Sequence, residues 1–265
     1  MYPHLQRQSF LGADSPEVLD ASTVAIIGLC GGGSHIAQQL ALVGVGGFRL
    51  FDHDCADETN RNRMIGLTAA AAAAKEKKTD VISALIKGIN PSARVLPFPH
   101  KWQEAHEALR DCTAVVGCVD SFSERDQIER YARRFMIPYI DVGMDVHGEP
   151  GRSSIGGQVI LSLPGHPCMR CMGFLTDSVL AEEARRYGDA GGKPQVVWPN
   201  GTLASVAVGT FISLVTSWHQ DLAAPLYSEY DGNRFTVTPS RKLALLADKP
   251  CLHFGGPDAL GDATW

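Results

Sequence analysis

The feature that most constrains this chain is a glycine-rich turn between an apolar run and a helical stretch. Residues 23–28 read Thr-Val-Ala-Ile-Ile-Gly, the next six read Leu-Cys-Gly-Gly-Gly-Ser, and a helical pattern covers 35–43. A strand that enters a helix through such a turn gathers free backbone N–H groups at the helix N-terminus, which suits a phosphate group. Asp52 lies 24 residues after Gly28, at the end of the next apolar run, where a ribose hydroxyl would bind. The segment therefore predicts a nucleotide site in an α/β protein.

The composition allows one large α/β domain, or one domain with appendages, in 265 residues. With 24 basic and 29 acidic residues and no basic stripe, the net charge of −5 argues against nucleic acid as the main partner. The N-terminus lacks the features of a signal peptide, and no apolar run is long enough to predict a membrane span. Seven cysteines without an export signal indicate a reduced, cytoplasmic protein whose cysteines are buried or bind metal.

Short apolar runs alternate with helix-length segments through the first two thirds of the chain. This alternation predicts a Rossmann-like, doubly wound α/β fold with a mostly parallel sheet. Later, Leu203–Trp218 is typical of a buried or interface helix, and Phe235–Val237 with Leu243–Leu246 indicates a closing antiparallel hairpin. The six runs read as strands are Val24–Ile27, Leu50–Phe51, Val95–Leu96, Ala114–Val116, Tyr139–Val142 and Val159–Leu161.

A polar and basic cluster follows the acidic strand end. Binding a triphosphate, which carries a charge of about −4, requires several donors and at least two cations. Asn60, Arg63 and Lys78 offer a neutral donor, a planar bidentate donor and a compact charge. A solvated helix face would equally well explain other basic residues nearby, such as Lys75.

Asp120 stands at the carboxyl end of a predicted strand, where α/β proteins place their ligands. A lone carboxylate opposite a phosphate site is a natural Mg²⁺ ligand, either directly or through water. The alternative is a structural role, because Asp120 or Ser121 could simply cap the following helix.

Together these motifs resemble the ThiF/MoeB adenylyltransferase family, bacterial relatives of ubiquitin-activating enzymes. The resemblance runs from about Arg7 to His253. Departures are Cys30 where glycine is usual, and Arg61 and Met64 where leucine and glutamine are usual. The matching motifs are Arg7-Gln8, Gly28-x-x-Gly31-x-Gly33, Asp52-x-Asp54, Thr59-Asn60-x-Asn62-Arg63, Lys78, Ile89-Asn90-Pro91 and Val119-Asp120-Ser121-x-x-x-Arg125.

The resemblance implies a single adenylation domain over residues 1–265, with an N-terminal arm (1–22), a nucleotide-binding core (23–163) and a C-terminal part (164–265) that holds a zinc knuckle, a crossover segment and closing elements. It implies ATP-dependent adenylation of the C-terminal glycine carboxylate of a ubiquitin-like or sulfur-carrier protein, with release of pyrophosphate. It also implies a homodimer and a conjugating enzyme as a further partner. The implied site residues are Gly28, Gly31, Gly33, Asp52 and Asp54 for the nucleotide, Asn60, Arg63 and Lys78 for the phosphates, Asp120 for Mg²⁺, and Arg7 from a second subunit.

Cys168-x-x-Cys171 has the spacing of a pair of zinc ligands in a proline-bounded turn. The family's usual site adds a second Cys-x-x-Cys near the C-terminus. Here Cys251 matches its first cysteine, whereas Phe254 stands at the position of the second, so His253 would complete a Cys₃His set. The competing interpretation is a redox pair, which would need a thioredoxin-like context that the sequence lacks.

Three further interpretations concern the chemistry. Residues 172–250 contain no cysteine, and packing is the favoured role for Cys30 and Cys55. The sequence therefore predicts adenylation without an obligatory thioester on this chain. The charged and then Gly- and Pro-rich segment 176–200 is predicted to cross the surface and to cover the partner's tail. An NAD-dependent oxidoreductase and a catalytically silent partner-binding homologue stay open as alternatives.

Overall fold

The computed structural model describes residues 3–149, 151–185, 194–219, 226–246, 249 and 251–254. Eight strands form one sheet in the order β3-β2-β1-β4-β5-β6-β7-β8. All six apolar runs that the sequence predicts as strands lie in this sheet, so the predicted fold class is confirmed. The strands are β1 Thr23–Ile27, β2 Gly47–Phe51, β3 Arg94–Phe98, β4 Ala114–Gly117, β5 Tyr139–His147, β6 Ser154–Ser162, β7 Tyr227–Asp231 and β8 Thr236–Pro239.

The helices cover both faces of the sheet. Alternate residues of β1 point in opposite directions: Val24 and Ile26 belong to the core cluster under α2, α4 and α7, whereas Ala25 and Ile27 belong to the cluster under α5. This arrangement is the doubly wound one. The helices are α1 Ser15–Ala21, α2 Gly31–Leu42, α3 Ala69–Ala73, α4 Lys78–Ile89, α5 Phe122–Arg134, α6 Asp177–Arg185 and α7 Val197–Val215, and short 3₁₀ helices cover Pro3–Leu11, Glu58–Asn60, Trp102–Leu109, Ser217–His219 and Arg241–Leu245.

The sheet changes character after β5. Strands β1 to β5 pair in parallel, whereas β5 to β8 pair antiparallel. The predicted pairing of Phe235–Val237 with Leu243–Leu246 is wrong. β8 pairs instead with β7, and the residues from Arg241 to Leu245 form a 3₁₀ helix. β7 was not predicted because its sequence, Tyr-Ser-Glu-Tyr-Asp, contains no apolar run, although its two tyrosines are buried.

The segment 176–200 contains more regular structure than the sequence suggests. It includes α6, which has no buried residue and therefore lies on the surface, and the first turn of α7. Residues 186–193 lie outside the described ranges. Within those ranges, none of the helices is sufficiently long and apolar to cross a membrane.

Candidate active site and metal centre

The nucleotide motifs meet where the strand order reverses. β1 pairs with β2 on one side and with β4 on the other, so that Ile27 lies beside both Phe51 and Gly117. The residues that follow these three strands therefore share one edge of the sheet, the position at which open α/β sheets bind ligands.

Backbone geometry dictates the glycines of the turn. Gly28 has a φ of +88°, which L side chains rarely adopt, and its N–H donates to the Phe51 carbonyl at 2.9 Å. A Cβ on Gly33 would lie 1.9 Å from the Gly28 oxygen, so this position excludes any side chain. Cys30, in contrast, has a φ of −82° and precedes the first residue of α2. Its ordinary φ explains why cysteine is accommodated where the family usually has glycine.

The Cys30 thiol faces the basic cluster. Burial raises its pKa, and the nearby positive charges of Arg63 and Lys78 partly oppose that rise. The effect of both cations on this thiol shows that Arg63 and Lys78 lie near the start of α2.

Asp52 and Lys78 form the centre of the charge cluster. Asp52 Oδ2 accepts the Leu29 N–H at 2.8 Å, which ties the carboxylate to the glycine turn. Lys78 Nζ lies 2.7 Å from Asp54 Oδ2 and 3.6 Å from Asp52 Oδ1. Burial alone would lower the pKa of Lys78, but the two carboxylates raise it above its ordinary value. Lys78 is therefore a buried permanent cation.

Arg63 and Asn60 lie in the loop after β2. Arg63 Nη1 donates to the Thr59 carbonyl at 2.6 Å and to Asn62 Oδ1 at 2.9 Å, while its Nε is buried without a partner among the described residues. Asn60 is buried, and its Oδ1 accepts the Asp57 N–H at 3.1 Å in a reciprocal capping arrangement. Asn60 therefore shapes this loop in addition to any role toward phosphate.

Asp120 is exposed at the end of β4, and Ser121 rather than Asp120 caps α5, because Ser121 Oγ accepts the Glu124 N–H. The carboxylate of Asp120 is therefore not used as the cap of α5. Its Oδ1 accepts Gln195 Nε2 at 3.3 Å, and the Gln195 carbonyl accepts Asn62 Nδ2 at 3.0 Å. We call the glycine turn (28–33) with Asp52, Asp54, Arg63, Lys78 and Asp120 the switch-point site.

Four predicted metal ligands converge beside the C-terminal half of α5. Sγ of Cys171 lies 3.7 Å from Sγ of Cys168 and 3.8 Å from Sγ of Cys251. His253 Nδ1 lies 3.4 Å from Sγ of Cys168 and 3.3 Å from Sγ of Cys171. Tetrahedral coordination with bonds of about 2.3 Å places sulfurs about 3.8 Å apart. The donor atoms all lie within 4.8 Å of one another and therefore fit a metal ion of this geometry. We call these four residues the cysteine knuckle.

The thiols of the knuckle differ in their environments. Burial, with the nearby Glu129 carboxylate, raises the pKa of Cys168. Burial would also raise the pKa of Cys171, but hydrogen bonds from the Leu252 and Cys168 backbones and from His253 lower it to about 6. A thiol that ionises readily next to a histidine is a chemically suitable metal ligand.

A sequence profile of the ThiF family matches residues 3–252. The chain belongs to the ThiF family. Among curated relatives it is 24% identical over 221 residues to the adenylyltransferase and sulfurtransferase UBA4 of Meyerozyma guilliermondii. This alignment covers 82% of this chain and 49% of the relative. It is 41% identical over 102 residues to the tRNA threonylcarbamoyladenosine dehydratase of Bacillus subtilis, covering 38% of this chain and 39% of that protein. The chain thus spans about half the length of these relatives or less.

The fold of this ThiF protein is also that of E. coli MccB. The crystal structure of MccB with ATP aligns with a TM-score of 0.73 at 19% identity, over 89% of this chain and 71% of MccB. At this identity the likeness concerns the fold alone.

Arg7 of this ThiF chain does not join the switch-point site. It is exposed on the N-terminal 3₁₀ helix, where the neighbouring Gln8 donates from Nε2 to the Val43 carbonyl at 2.9 Å, at the end of α2. The glycine turn lies at the other end of α2, whose 12 residues extend about 18 Å. The structure therefore separates Arg7 from the switch-point site of its own subunit.

Two residues at this site escaped the sequence analysis. Gln195 reaches Asp120 as described above, and Glu183 of α6 accepts the backbone N–H groups of Phe122 and Ser123, each at 2.8 Å, at the start of α5. Both come from the 176–200 segment, which is therefore held to Asp120 itself and to the start of α5. Their positions in the sequence carry no motif that could have revealed these contacts.

The remaining cysteines of this ThiF chain bear on thioester chemistry. Burial raises the pKa of Cys112 to about 11 and raises that of Cys118 further. The sequence analysis favoured packing for Cys55, which the structure contradicts, because Cys55 is exposed beside Asp54.

Proposed function

We propose that the chain transfers AMP from ATP to the C-terminal carboxylate of a ubiquitin-like or sulfur-carrier protein. The observation that carries the proposal is the gathering of a glycine turn, a ribose-binding candidate, two cations and an exposed carboxylate at one edge of the sheet. A carboxylate oxygen attacks the α-phosphorus, the bond from that phosphorus to the bridging oxygen breaks, and pyrophosphate leaves. The nucleophile is already ionised at neutral pH, so the step needs no general base.

The charges of the switch-point site support a need for further cations. Its three carboxylates and two basic side chains leave one negative charge in excess, whereas a bound triphosphate brings a charge of about −4. In our proposal Asp120 binds Mg²⁺, which supplies positive charge beside the phosphates, while Arg63, Lys78 and Asn60 donate to phosphate oxygens. Asp52 holds the ribose and Asp54 fixes Lys78.

We further propose that Arg7 of a second subunit supplies one more cation, which makes the enzyme a homodimer. Its distance from the site of its own subunit supports this assignment. The segment that carries Glu183 and Gln195 would then border the path of the substrate's tail.

We also propose that the cysteine knuckle binds structural zinc through Cys168, Cys171, Cys251 and His253. The support is the set of sulfur separations expected of a tetrahedral site. All four positions are filled by protein ligands, which is typical of a structural rather than a catalytic zinc.

A second candidate substrate is a carboxylate carried by tRNA. The 41% identity to the B. subtilis tRNA threonylcarbamoyladenosine dehydratase favours it, whereas the acidic net charge of −5 does not. One assay distinguishes the two candidates.

The test measures pyrophosphate–ATP exchange with Mg²⁺ in the presence of Gly-Gly-terminated carrier proteins, the same proteins with truncated tails, or tRNA. We expect exchange only with the intact carriers. Asp120→Asn should reduce it by at least about 10³-fold, since charge neutralisation by the metal is worth several kcal/mol, and the exposed Asp80→Asn on α4 should serve as the unaffected control.

Wild-type exchange by Asp120→Asn would overturn the assignment of Asp120. Exchange that depends on tRNA would replace the protein substrate by the second candidate. Binding of ATP without exchange for any partner would instead identify the chain as the catalytically silent homologue.

A further inference from the structure

Helix α5 buries two opposite charges that the adenylation site does not use. Glu129 is fully buried and Arg133 is 3% exposed, and Arg133 Nε lies 3.7 Å from Glu129 Oε1. Removing such a pair from water costs several kcal/mol for each ion, which the attraction between them rarely exceeds by much. Burial of this pair therefore points to a positional role, which the contacts of the two side chains identify.

Arg133 contacts both chain segments that supply the cysteine knuckle. Its Nη2 donates to the carbonyls of His166 at 3.0 Å and Pro167 at 3.1 Å, directly before Cys168. Its guanidinium lies 5.1 Å from the ring centroid of Phe254, directly after His253. One side chain thus connects two ligand segments that are about 85 residues apart in sequence.

Glu129 holds the same turn from the other side of Cys168. Its Oε1 accepts the Met169 N–H at 2.8 Å and the Ser162 hydroxyl at 2.6 Å. Ser162 Oγ also accepts Arg133 Nε at 2.7 Å and so joins the two side chains. The peptide groups on both sides of Cys168 are therefore fixed by α5.

We propose that Glu129 and Arg133 are positioning residues of the cysteine knuckle, which hold Cys168 and His253 in reach of each other so that the metal meets a preformed site. This inference rests on the proposed zinc site but not on the proposed adenylation. Partners that orient the ligands of a metal commonly change its affinity by about 10- to 100-fold.

The experiment compares metal affinity in folded variants of the full chain. Arg133→Lys keeps the charge but cannot make the forked contacts to two carbonyls and Ser162, and Ser162→Ala removes the joining hydroxyl without adding bulk. Arg130→Lys is the matched control, because Arg130 lies on the same helix but its side chain is 60% exposed. The readouts are zinc content, zinc transfer to a chromophoric chelator, and the thiolate absorption of Co²⁺-loaded protein.

We expect Arg133→Lys and Ser162→Ala to lose zinc at least about 10-fold more readily than wild type, with an altered Co²⁺ spectrum, while Arg130→Lys behaves as wild type. Circular dichroism identifies any variant that fails to fold. If Arg133→Lys does not fold, Ser162→Ala decides the question. Wild-type zinc retention and Co²⁺ spectra in the folded variants would overturn the positioning role alone, whereas wild-type protein without stoichiometric zinc would overturn it together with the metal site.

Discussion

The switch-point site lies at the N-terminus of α5 and the cysteine knuckle beside its C-terminal half, and the two regions differ in how their charges are exposed and paired. At the switch-point site Asp120 is exposed and Asp54 is half exposed, and the carboxylates outnumber the cations. At the knuckle Cys168 is fully buried, and the charges of Glu129 and Arg133 are balanced and enclosed. The first arrangement leaves a negative charge that further cations would have to balance, whereas in the second the charged side chains are paired with each other. This difference supports the proposed roles, in which the exposed region exchanges its ligand and the buried region retains its metal.

The largest effect should follow the loss of Lys78. Lys78→Met removes the cation that separates Asp52 from Asp54 and leaves both carboxylates facing the triphosphate. Pyrophosphate exchange should fall by about 10²- to 10³-fold, as when one donor to a developing negative charge is removed. Lys77→Met, at an exposed neighbouring position, should change exchange little. Equal losses in the two variants would mean that the site responds to net charge and not to this ion pair.

The second largest effect concerns Arg7, which a second subunit is proposed to supply to the switch-point site. Arg7→Ala and Asp120→Ala should each be inactive alone. Mixed subunits should recover about a quarter of wild-type exchange, because half of the dimers are mixed and each contains one intact site. Failure to complement, in mixtures where subunits demonstrably exchange, would place Arg7 outside the site.

Changes at the cysteine knuckle should affect the stability of the protein more than its activity. Cys168→Ser, or zinc removal by a chelator, should lower the melting temperature by about 5–10 °C. The Kd for ATP should change by less than about twofold, since contacts between distant sites are nearly additive. Cys55→Ser is the control because Cys55 is exposed. A loss of ATP affinity as large as the loss of stability would contradict the separation of the two regions.

The smallest effect concerns pH. Burial would raise the pKa of Asp54, but its hydrogen bond and ion pair with Lys78 lower it below its ordinary value of 3.8. The stabilisation is therefore present above that value and disappears as the pH falls through the lowered pKa. The difference in melting temperature between wild type and Asp54→Asn should be constant near neutrality and should shrink below about pH 4. A difference that persists to about pH 2 would exclude the ionised pair as its source.

The sequence could predict the parallel half of the sheet and most of the switch-point site. Gly28 and Asp52 directly follow an apolar run and Asp120 lies three residues after β4, and parallel topology brings the ends of such runs together. The approach failed for β7, where aromatic burial replaces an apolar run. It also failed for Cys55, because sequence proximity to a site does not determine exposure.

Polar contacts between residues distant in sequence could not be predicted from the sequence, for a different reason. Glu129 and Arg133 have the four-residue spacing of an ordinary exposed helical ion pair. Only the packing of the 164–171 turn on α5 buries them. Gln195 and Glu183 likewise acquire their roles through the path of the chain and not through a local pattern.

Helix α7 gives the molecule a mechanical connection between its N-terminal arm and its nucleotide turn. At its start, Asn200 packs so closely on Gly31 that a Cβ there would lie 2.6 Å from its amide nitrogen. Just past its end, the ring of Trp218 meets that of Phe10 at 6.0 Å. A helix of 19 residues, about 28 Å long, thus lies between these two contacts. In the proposed homodimer, a displacement of the arm that moved this helix would also change the turn. By reciprocity, the free energy with which subunit contact favoured nucleotide binding would equal that with which nucleotide favoured subunit contact.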